Sequence, residues 1–244
     1  MSRSNSPRHR GLKQERAVRT YGQILQAAAD LFAKTGFANV TLVDIAEHAG
    51  VTKGAVYFHF MNKEALAVAV MDEYYVRLAA VAKDVRQSSL SPLDAAAELI
   101  TRTTAVLRRD TVFQSAVRLQ KELFLFDNQL PTPFVSFIEA VGELLAEGKL
   151  RGQLPEDADP RALARVLVAA FYGAQHISWV LTGRADVVER VREVIDAIIP
   201  RRSPEPPGEP AQTLRSEQPP WTSTAPSHSS PEAHPDWGSP PRVG

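Results

Sequence analysis

Residues 41–60 combine small, polar and basic side chains in an order that suits contact with a DNA duplex. The segment reads TLVDIAEHAGVTKGAVYFHF. It predicts two short helices, 42–49 and 53–59, and the apolar face of the first is small enough for the second to cross it closely. Gly50 permits the positive φ of a tight interhelical turn. Two helices joined in this way form a helix-turn-helix, whose second helix enters the major groove.

The second of these helices carries side chains suited to bases and phosphates. Gly54 and Ala55 are small enough for close backbone approach, and Ala55 also suits contact with a thymine methyl group. Tyr57, His59 and Lys63 are expected to face the flanking phosphates, which position a protein without specifying the sequence. The candidate DNA contacts are Thr41, Thr52, Lys53, Gly54, Ala55, Tyr57, His59 and Lys63.

An ordinary pair of helices with a glycine turn is the plain alternative, and the two-helix pattern alone does not exclude it. The first nineteen residues hold six basic residues against the single acid Glu15: Arg3, Arg8, Arg10, Lys13, Arg16 and Arg19. Taken alone they are typical of a solvated tail, and only their position before the helix-turn-helix favours DNA. The formal net charge of the whole chain is zero. A local basic region still matters, since charge distribution counts for more than the sum.

The elements around this segment are predicted to be helices. Apolar residues recur at helical spacing between residues 17 and 200, with almost no strand-like alternation. Ser91-Pro92, Thr132-Pro133 and Asp159-Pro160 each place a capping side chain before a proline at the first helical position. The predicted helices are 17–34, 42–49, 53–59, 63–86, 92–109, 111–125, 133–149, 160–182 and 185–199. The predicted fold class is all-α, with about nine helices.

Composition divides the chain into three parts. Residues 1–16 are predicted to be a basic, disordered arm. Residues 17–200 are rich in alanine, leucine and valine and are predicted to be helical. Residues 201–244 hold most of the 18 prolines, and such a segment cannot bury enough apolar surface to fold, so we predict a disordered tail.

Several classes of protein are excluded by composition. The chain has no cysteine, which excludes disulfide frameworks and thiolate metal sites. The N-terminus lacks the apolar segment that a secretory signal requires. The longest nearly uncharged run, 166–181, is interrupted by polar residues and is shorter than the ~18–20 apolar residues of a membrane span. We therefore expect a cytoplasmic protein with no membrane partner.

Catalytic and metal-binding patterns are not evident. The sequence contains no nucleophile elbow, HExxH motif or phosphate-binding glycine loop. His48, His59 and His176 do not stand at metal-ligand spacing, and Glu122 and Asp127 would pair only by accident of folding. We expect neither an enzyme nor a cofactor. A helical adaptor that binds proteins is a second alternative, against which the basic arm beside the helix-turn-helix argues.

The sequence between residues 31 and 66 resembles the TetR family of repressors. The matching strings are LFAKTGF, then T-x-x-x-I-A-x-x-A-G-V-T-K-G-A-V-Y-F-H-F, then NKEAL. The resemblance implies a homodimer that binds operator DNA through a three-helix domain over residues 17–62. It also implies a larger ligand-binding and dimerisation domain over residues 63–200 that receives a small-molecule inducer. Dimers of this family pair through their last two long helices, which predicts interface contacts at Gly173, Trp179, Val187, Val191 and Val194.

Other segments resemble the γ-butyrolactone receptors and pseudo-receptors of streptomycetes: KQERAVRT, AVRLQKE and LVAAFYGAQHISWVLTGRADVVERV. Those proteins repress antibiotic-biosynthesis and developmental genes until a small lactone, butenolide, furan or antibiotic-like molecule binds. The resemblance implies a repressor released in the same way. A TetR-type regulator of an unrelated regulon, such as efflux, with another inducer or none, is the alternative.

One position departs from that group. Its receptors tend to carry a tryptophan after a proline-aromatic pair, where this chain has Phe137 and therefore no indole N–H donor. This difference favours a pseudo-receptor with another ligand. Gln120 would be a polar anchor in a mainly apolar site, and ligand binding is expected to shift helix 63–86. The candidate ligand contacts, for which plain core packing is the alternative, are Val81, Val117, Gln120, Phe134, Phe137, Ala170, Phe171 and Ala174.

Overall fold

The protein is described by a computed structural model over residues 7–122 and 134–199, with side chains from residue 14 onward. Every regular element in these ranges is an α-helix, which confirms the predicted fold class. The helices are α1 (Pro7–Thr35), α2 (Leu42–Ala49), α3 (Lys53–His59), α4 (Lys63–Arg86), α5 (Pro92–Leu107), α6 (Thr111–Lys121), α7 (Val135–Leu150), α8 (Pro160–Thr182) and α9 (Val187–Ile198).

Three helix starts differ from the prediction, and one of them is that of α9, which begins at Val187 rather than 185. α1 begins at Pro7, so the predicted disordered arm is wrong over residues 7–16, where Pro7 occupies a first helical position and several good helix formers follow. α7 begins at Val135 rather than 133, after Phe134, which has a φ of 70° and no capping side-chain hydrogen bond. Residues 1–6, the Thr132-Pro133 pair and the proline-rich tail lie outside the described residues.

Capping side chains fix the starts of the helices around the candidate DNA contacts. Thr41 Oγ1 accepts a hydrogen bond from the backbone N of Asp44 at 3.2 Å, and the Asp44 carboxylate accepts one from the backbone N of Thr41 at 2.8 Å. This reciprocal pair is a capping box. Asn62 Oδ1 accepts from the backbone N of Ala65 at 2.7 Å and starts α4 in the same manner.

One cluster of buried apolar side chains joins the described helices. α1 packs against α2 and α3 and also against α6 and α4. α7 lies between α5 and α8, and α9 packs on both α8 and α5. The described helices all belong to one compact unit that extends to residue 201, and the second unit, 202–244, lies outside the described residues. The predicted DNA-binding and ligand-binding parts therefore share a continuous core.

Two glycines of α7 allow its neighbours to approach, but to different degrees. A Cβ at Gly148 would lie 2.9 Å from Leu93 Cδ2 and 3.3 Å from Leu93 Cγ. Leu93 is itself buried, so it has little room to move. A Cβ at Gly142 would lie 3.6 Å from the Cβ of Ala164, which is an ordinary van der Waals contact. Only Gly148 is required by packing.

This difference predicts unequal effects of two similar substitutions on the stability of the protein. Gly142→Ala should stabilise the protein by up to about 1 kcal/mol, because glycine is less favourable than alanine in a helix interior. For a chain of this size that is a rise in melting temperature of about 2–4 °C. Gly148→Ala should lose most or all of this gain, since Leu93 must move. Thermal unfolding followed by circular dichroism compares the two, and an equal gain at both positions would contradict the packing described.

Candidate DNA interface and ligand cavity

The turn between α2 and α3 has the geometry of a helix-turn-helix. Gly50 has a φ of 66°, in the left-handed region. The N–H of Gly50 donates to the carbonyl of Glu47 at 3.1 Å, and the N–H of Val51 donates to that of Ala46 at 3.0 Å. Thr52 Oγ1 then accepts from the backbone N of Ala55 at 3.2 Å and caps α3. These bonds fix the direction of α3 relative to α2.

α3 exposes one face to solvent while its opposite side is buried. Val56 is fully buried, and Lys53, Gly54 and Tyr57 are exposed. The Lys53 ammonium lies 5.7 Å from the centre of the Tyr57 ring, so the two side chains share this face. A cation, an aromatic ring and a bare stretch of backbone are thus presented together at the start of the helix.

Phe58 is a residue of this face that the sequence analysis missed. Its side chain is 79% exposed, against 51% for Tyr57. Helical geometry could have predicted this exposure. Residue 58 lies about 200° around the helix from the buried residue 56, so its side chain points outward. Together with the exposed ring of Tyr57, Phe58 gives this short helix two adjacent aromatic side chains that face solvent.

Three candidate DNA contacts have roles inside the protein. Lys63 Nζ donates to the carbonyl of Phe37 at 2.7 Å and lies 4.1 Å above that ring. Lys63 thus also holds the connection between α1 and α2, and its contact with the flanking phosphates stays a prediction. His59 is half-buried, with its ring 6.0 Å from that of Tyr21. The hydroxyl of Thr41 is used in the capping box, where it also lowers the pKa of Asp44.

A cavity of about 950 Å³ opens between α4 and α7. Its walls are mainly apolar, and charged side chains from both helices stand at its edge. The lining residues are Tyr75, Leu78, Ala79, Ala82, Lys83, Arg86, Gln87, Val135, Ser136, Phe137, Glu139 and Ala140. Its volume suits a small organic molecule.

Of the predicted ligand contacts, Phe137 lines this cavity and the other seven do not. Phe171 is buried against Phe137, with ring centres 5.6 Å apart, and Phe134 packs on Tyr172 at 4.6 Å. Val81, Val117 and Ala174 pack against the core, and Ala170 is half-buried on α8. For these residues core packing is the better interpretation, because a helical wheel shows which side faces inward but not which neighbour it meets.

Gln120 does not reach the cavity wall, but it belongs to a group of buried polar atoms beside it. The hydroxyls of Tyr74 and Tyr172 lie 3.2 Å apart, and burial raises the pKa of Tyr74 to about 12. The Gln120 amide lies near enough to Tyr74 and Tyr75 to oppose the rise of their pKa values. Gln120 Oε1 and the Tyr75 hydroxyl are nevertheless buried without a hydrogen-bond partner among the described atoms.

Unpaired buried polar atoms are costly, so each calls for a partner such as a water or a ligand. Tyr75 lines the cavity, and its buried hydroxyl lies next to the cavity wall. The tyrosines were not among the ligand contacts predicted from the sequence. The signal available was the adjacent pair Tyr74-Tyr75 on a helix with an apolar side, since a buried tyrosine hydroxyl needs a partner.

The predicted dimer contacts separate into two groups. Val187 and Val191 are buried within the protomer, and Val191 packs beside α5, so their assignment to an interface is corrected. Val194 is half-buried on the same helix, as is Trp179 on α8, while Gly173 is exposed. Gly173 belongs to an exposed apolar stripe of α8 that the sequence analysis did not identify: Val166, Ala169, Gly173, Ile177, Val180 and Leu181.

No helix in the described ranges combines the length and the hydrophobicity that a membrane crossing requires. Nor do the described residues bring together three histidine, aspartate or glutamate side chains in a way that would hold a metal ion.

Comparisons with known proteins place this geometry in a family. Residues 24–70 match the model described as bacterial regulatory proteins, tetR family. The A-factor receptor protein of Streptomyces griseus is 35% identical over 188 residues, which are 77% of this chain and 65% of that protein. The chain thus spans slightly less than two thirds of that relative.

Two solved structures are similar over nearly their whole length. One, described as the molecular basis for control of antibiotic production by bacterial hormones, is 41% identical with a TM-score of 0.70, covering 74% of this chain and 96% of that one. A γ-butyrolactone receptor described as an ArpA-like protein is 30% identical with a TM-score of 0.60, covering 73% and 97%. The resemblance drawn from the sequence is confirmed: the chain belongs to the TetR family of bacterial regulatory proteins.

Proposed function

We propose that this protein is a cytoplasmic transcriptional repressor that binds operator DNA as a homodimer and leaves it when a small molecule occupies the cavity between α4 and α7. It acts by binding and not by catalysis. The observation that carries the proposal is the exposed face of α3, where Lys53, Tyr57 and Phe58 stand on a helix fixed by the Gly50 turn and the Thr52 cap.

The chemistry of α3 suits major-groove contact. The first turn offers the Lys53 ammonium together with backbone that Gly54 leaves uncovered. Backbone N–H groups at a helix start favour phosphate oxygens, and a lysine adds a mobile positive charge. Tyr57 brings a hydroxyl that can donate to phosphate, whereas the Phe58 ring offers only apolar contact to sugar or to a thymine methyl. Arg16 and Arg19, both exposed on α1, supply further positive charge.

Lys53→Ala and Tyr57→Ala should each weaken operator binding by about tenfold or more, since a loss of 1.4 kcal/mol is tenfold in affinity. Lys53→Ala should also lower the slope of log affinity against log salt by about 1, because one fewer counterion is released. Fluorescence anisotropy at several salt concentrations, on a duplex that the wild-type protein selects from random sequence, measures both quantities.

The matched control is Arg161→Ala, which removes a positive charge from an exposed position at the start of α8. Its operator affinity should equal that of the wild type, and the melting temperatures of all three variants should be unchanged. Wild-type affinity in Lys53→Ala and Tyr57→Ala would show that α3 is not the recognition helix.

The cavity supports a ligand with a particular chemistry. Leu78, Ala79, Ala82 and Phe137 offer apolar contact, and Tyr75, another lining residue, has a hydroxyl with no hydrogen-bond partner among the described atoms. Phe137 cannot donate a hydrogen bond. A molecule with an apolar body and one or two polar oxygens therefore fits, as the lactones, butenolides and furans named for the resembling receptors do. Such a molecule releases DNA only by binding the two states of the protein with different affinity.

The effect of filling the cavity can be tested at one side chain. Ala82→Phe places a ring in the space between α4 and α7, so ligand should no longer enter while α3 remains unchanged. We expect operator affinity close to that of the wild type but no release by a panel of γ-butyrolactones, butenolides and furans that releases the wild type. Ala80→Phe, at an exposed position of the same helix that does not line the cavity, is the control.

If Ala82→Phe responded to the panel as the wild type does, the inducer site would have to lie elsewhere. If no member of the panel released the wild-type protein, the class of ligand proposed here would be wrong, although DNA binding would be unaffected.

Dimer formation is supported by the apolar stripe on α8. Ile177, Val180 and Leu181 are large apolar side chains that remain exposed in the single protomer. Gly173, in the same stripe, has no side chain, so a second helix can approach the backbone of α8 closely there. A row of exposed apolar residues along a long helix is typical of a surface that another subunit covers. The two-fold partner would supply the second α3 of the operator complex.

A further inference from the structure

The carbonyl end of α1 is held by a side chain of α6. Arg118 Nη1 donates to the carbonyl oxygens of Ala33 at 3.3 Å and Lys34 at 3.1 Å. Arg118 Nη2 donates to the carbonyl oxygen of Thr35 at 2.9 Å. The last carbonyls of a helix have no partner within the helix and carry its partial negative charge, so a guanidinium there is favourable on both counts.

Glu122, the residue directly after the end of α6, binds the next part of the same connection. Its Oε2 accepts a hydrogen bond from the backbone N of Phe37 at 2.9 Å, and its Oε1 lies 3.2 Å from Arg118 Nε. Lys63 at the start of α4 donates to the carbonyl of Phe37. Both backbone groups of Phe37 are thus bound by side chains from other helices. We call Arg118 and Glu122 the α6 latch.

Gly36 is required for the latch to close. A Cβ at this position would lie 2.5 Å from Arg118 Nη2 and 2.8 Å from Arg118 Nε. The residue also has a φ of 88°, which side-chain-bearing residues rarely adopt. The guanidinium therefore occupies the space where any other residue would carry its side chain.

The latch acts on the segment that orients the recognition helix. Residues 36–41 join α1 to α2, and α2 determines the direction of α3 through the turn at Gly50. On its other side, the guanidinium carbon of Arg118 lies 5.8 Å from the ring of Trp179 on α8. Gln120, on the same turn of α6, lies beside Tyr74 and Tyr75. One turn of α6 therefore contacts the DNA-binding helices, the stripe-bearing helix and the tyrosines at the cavity.

We propose that Arg118 is a positioning residue for operator binding: through the latch with Glu122 it fixes the connection after α1, and thereby the placement of α3 against DNA. The inference rests on the proposed DNA-binding function. A positioning role differs from a purely structural role. In a purely structural role, the latch would stabilise the fold and leave the operator affinity of the folded protein unchanged. The proposal also provides a second connection between the ligand-binding and DNA-binding parts. This connection is the direct contact between α6 and α1, and it acts in addition to the expected shift of α4.

The test compares full-length variants at a temperature at which circular dichroism shows each to be folded. Arg118→Ala should lower affinity for the selected duplex by about tenfold, within the range of typical coupling between sites. Arg118→Lys keeps the charge but not the planar fork that reaches three carbonyls, so it should recover only part of the loss. Glu122→Gln should lose less than Arg118→Ala. In hydrogen exchange, the Phe37 amide should exchange faster in Arg118→Ala and Glu122→Gln.

Gly36→Ala supplies a second arm, because its methyl group would displace the guanidinium without touching α3, in addition to straining the backbone at a φ of 88°. In a double-mutant cycle with Arg118→Ala, the combined loss of affinity should be smaller than the product of the two single losses, since both variants open the same latch. The matched control is Arg102→Ala, which breaks an ion pair of the same spacing, with Glu98, on α5. Its affinity should equal that of the wild type.

The outcomes separate this inference from the proposed function. If the wild-type protein selects no duplex, the DNA-binding function itself fails. If it selects one and Arg118→Ala and Arg118→Lys bind with wild-type affinity while melting at lower temperature, the latch is structural only and the inference is overturned. Independent, multiplicative losses in the Gly36→Ala cycle would likewise contradict it.

Discussion

The packing of α1 is the constraint on which the rest of the structure depends. One long helix buries Ile24, Ala28 and Phe32, and it serves as a wall both for the small helices α2 and α3 and for α6. Because protein interiors are close-packed, a helix shared in this way cannot shift for one set of neighbours without affecting the other. The recognition helix is therefore carried on the same core that surrounds the cavity, and no flexible linker separates the two.

The second organising feature is polarity inside an apolar core. Tyr74 and Tyr172 satisfy one another, while Tyr75 Oη and Gln120 Oε1 have no partner among the described atoms. A fully apolar replacement would be simpler to pack, since unsatisfied groups reduce stability. Their presence next to a cavity is explained if a bound molecule supplies the missing hydrogen-bond partners. A ligand that stabilises one state of the protein in this way shifts the protein toward that state.

The sequence predicted local structure well and packing partners poorly. Thr41, Gly50 and Asn62 act where their side chains or backbone conformations indicated, because caps and left-handed turns are decided by neighbouring residues. The α8 stripe, the Gly36–Arg118 contact and the cavity wall depend on helices far apart in the chain. Val187 illustrates the difference: its inward side was evident, but whether it met this protomer or a partner could not be deduced from periodicity.

The candidate DNA and ligand contacts show the same difference between local structure and packing partners. Lys53 and Tyr57 are exposed on α3 as the motif indicates, because a short capped helix exposes a determinate face. Lys63 is one residue past the Asn62 cap, and only the tertiary structure brings it to the carbonyl of Phe37. For the ligand contacts, helical spacing identified inward positions, but the cavity selects Phe137 because α4 and α7 separate there.

Hydroxyl-radical footprinting of the protein on its selected duplex tests the central claim most directly. Two copies of α3 in successive major grooves should protect two windows of backbone, related by a dyad, with centres one helical turn, about 34–36 Å, apart. A single window without symmetry, or protection that is lost when competitor DNA is added, would contradict the account of a two-fold dimer reading DNA through α3.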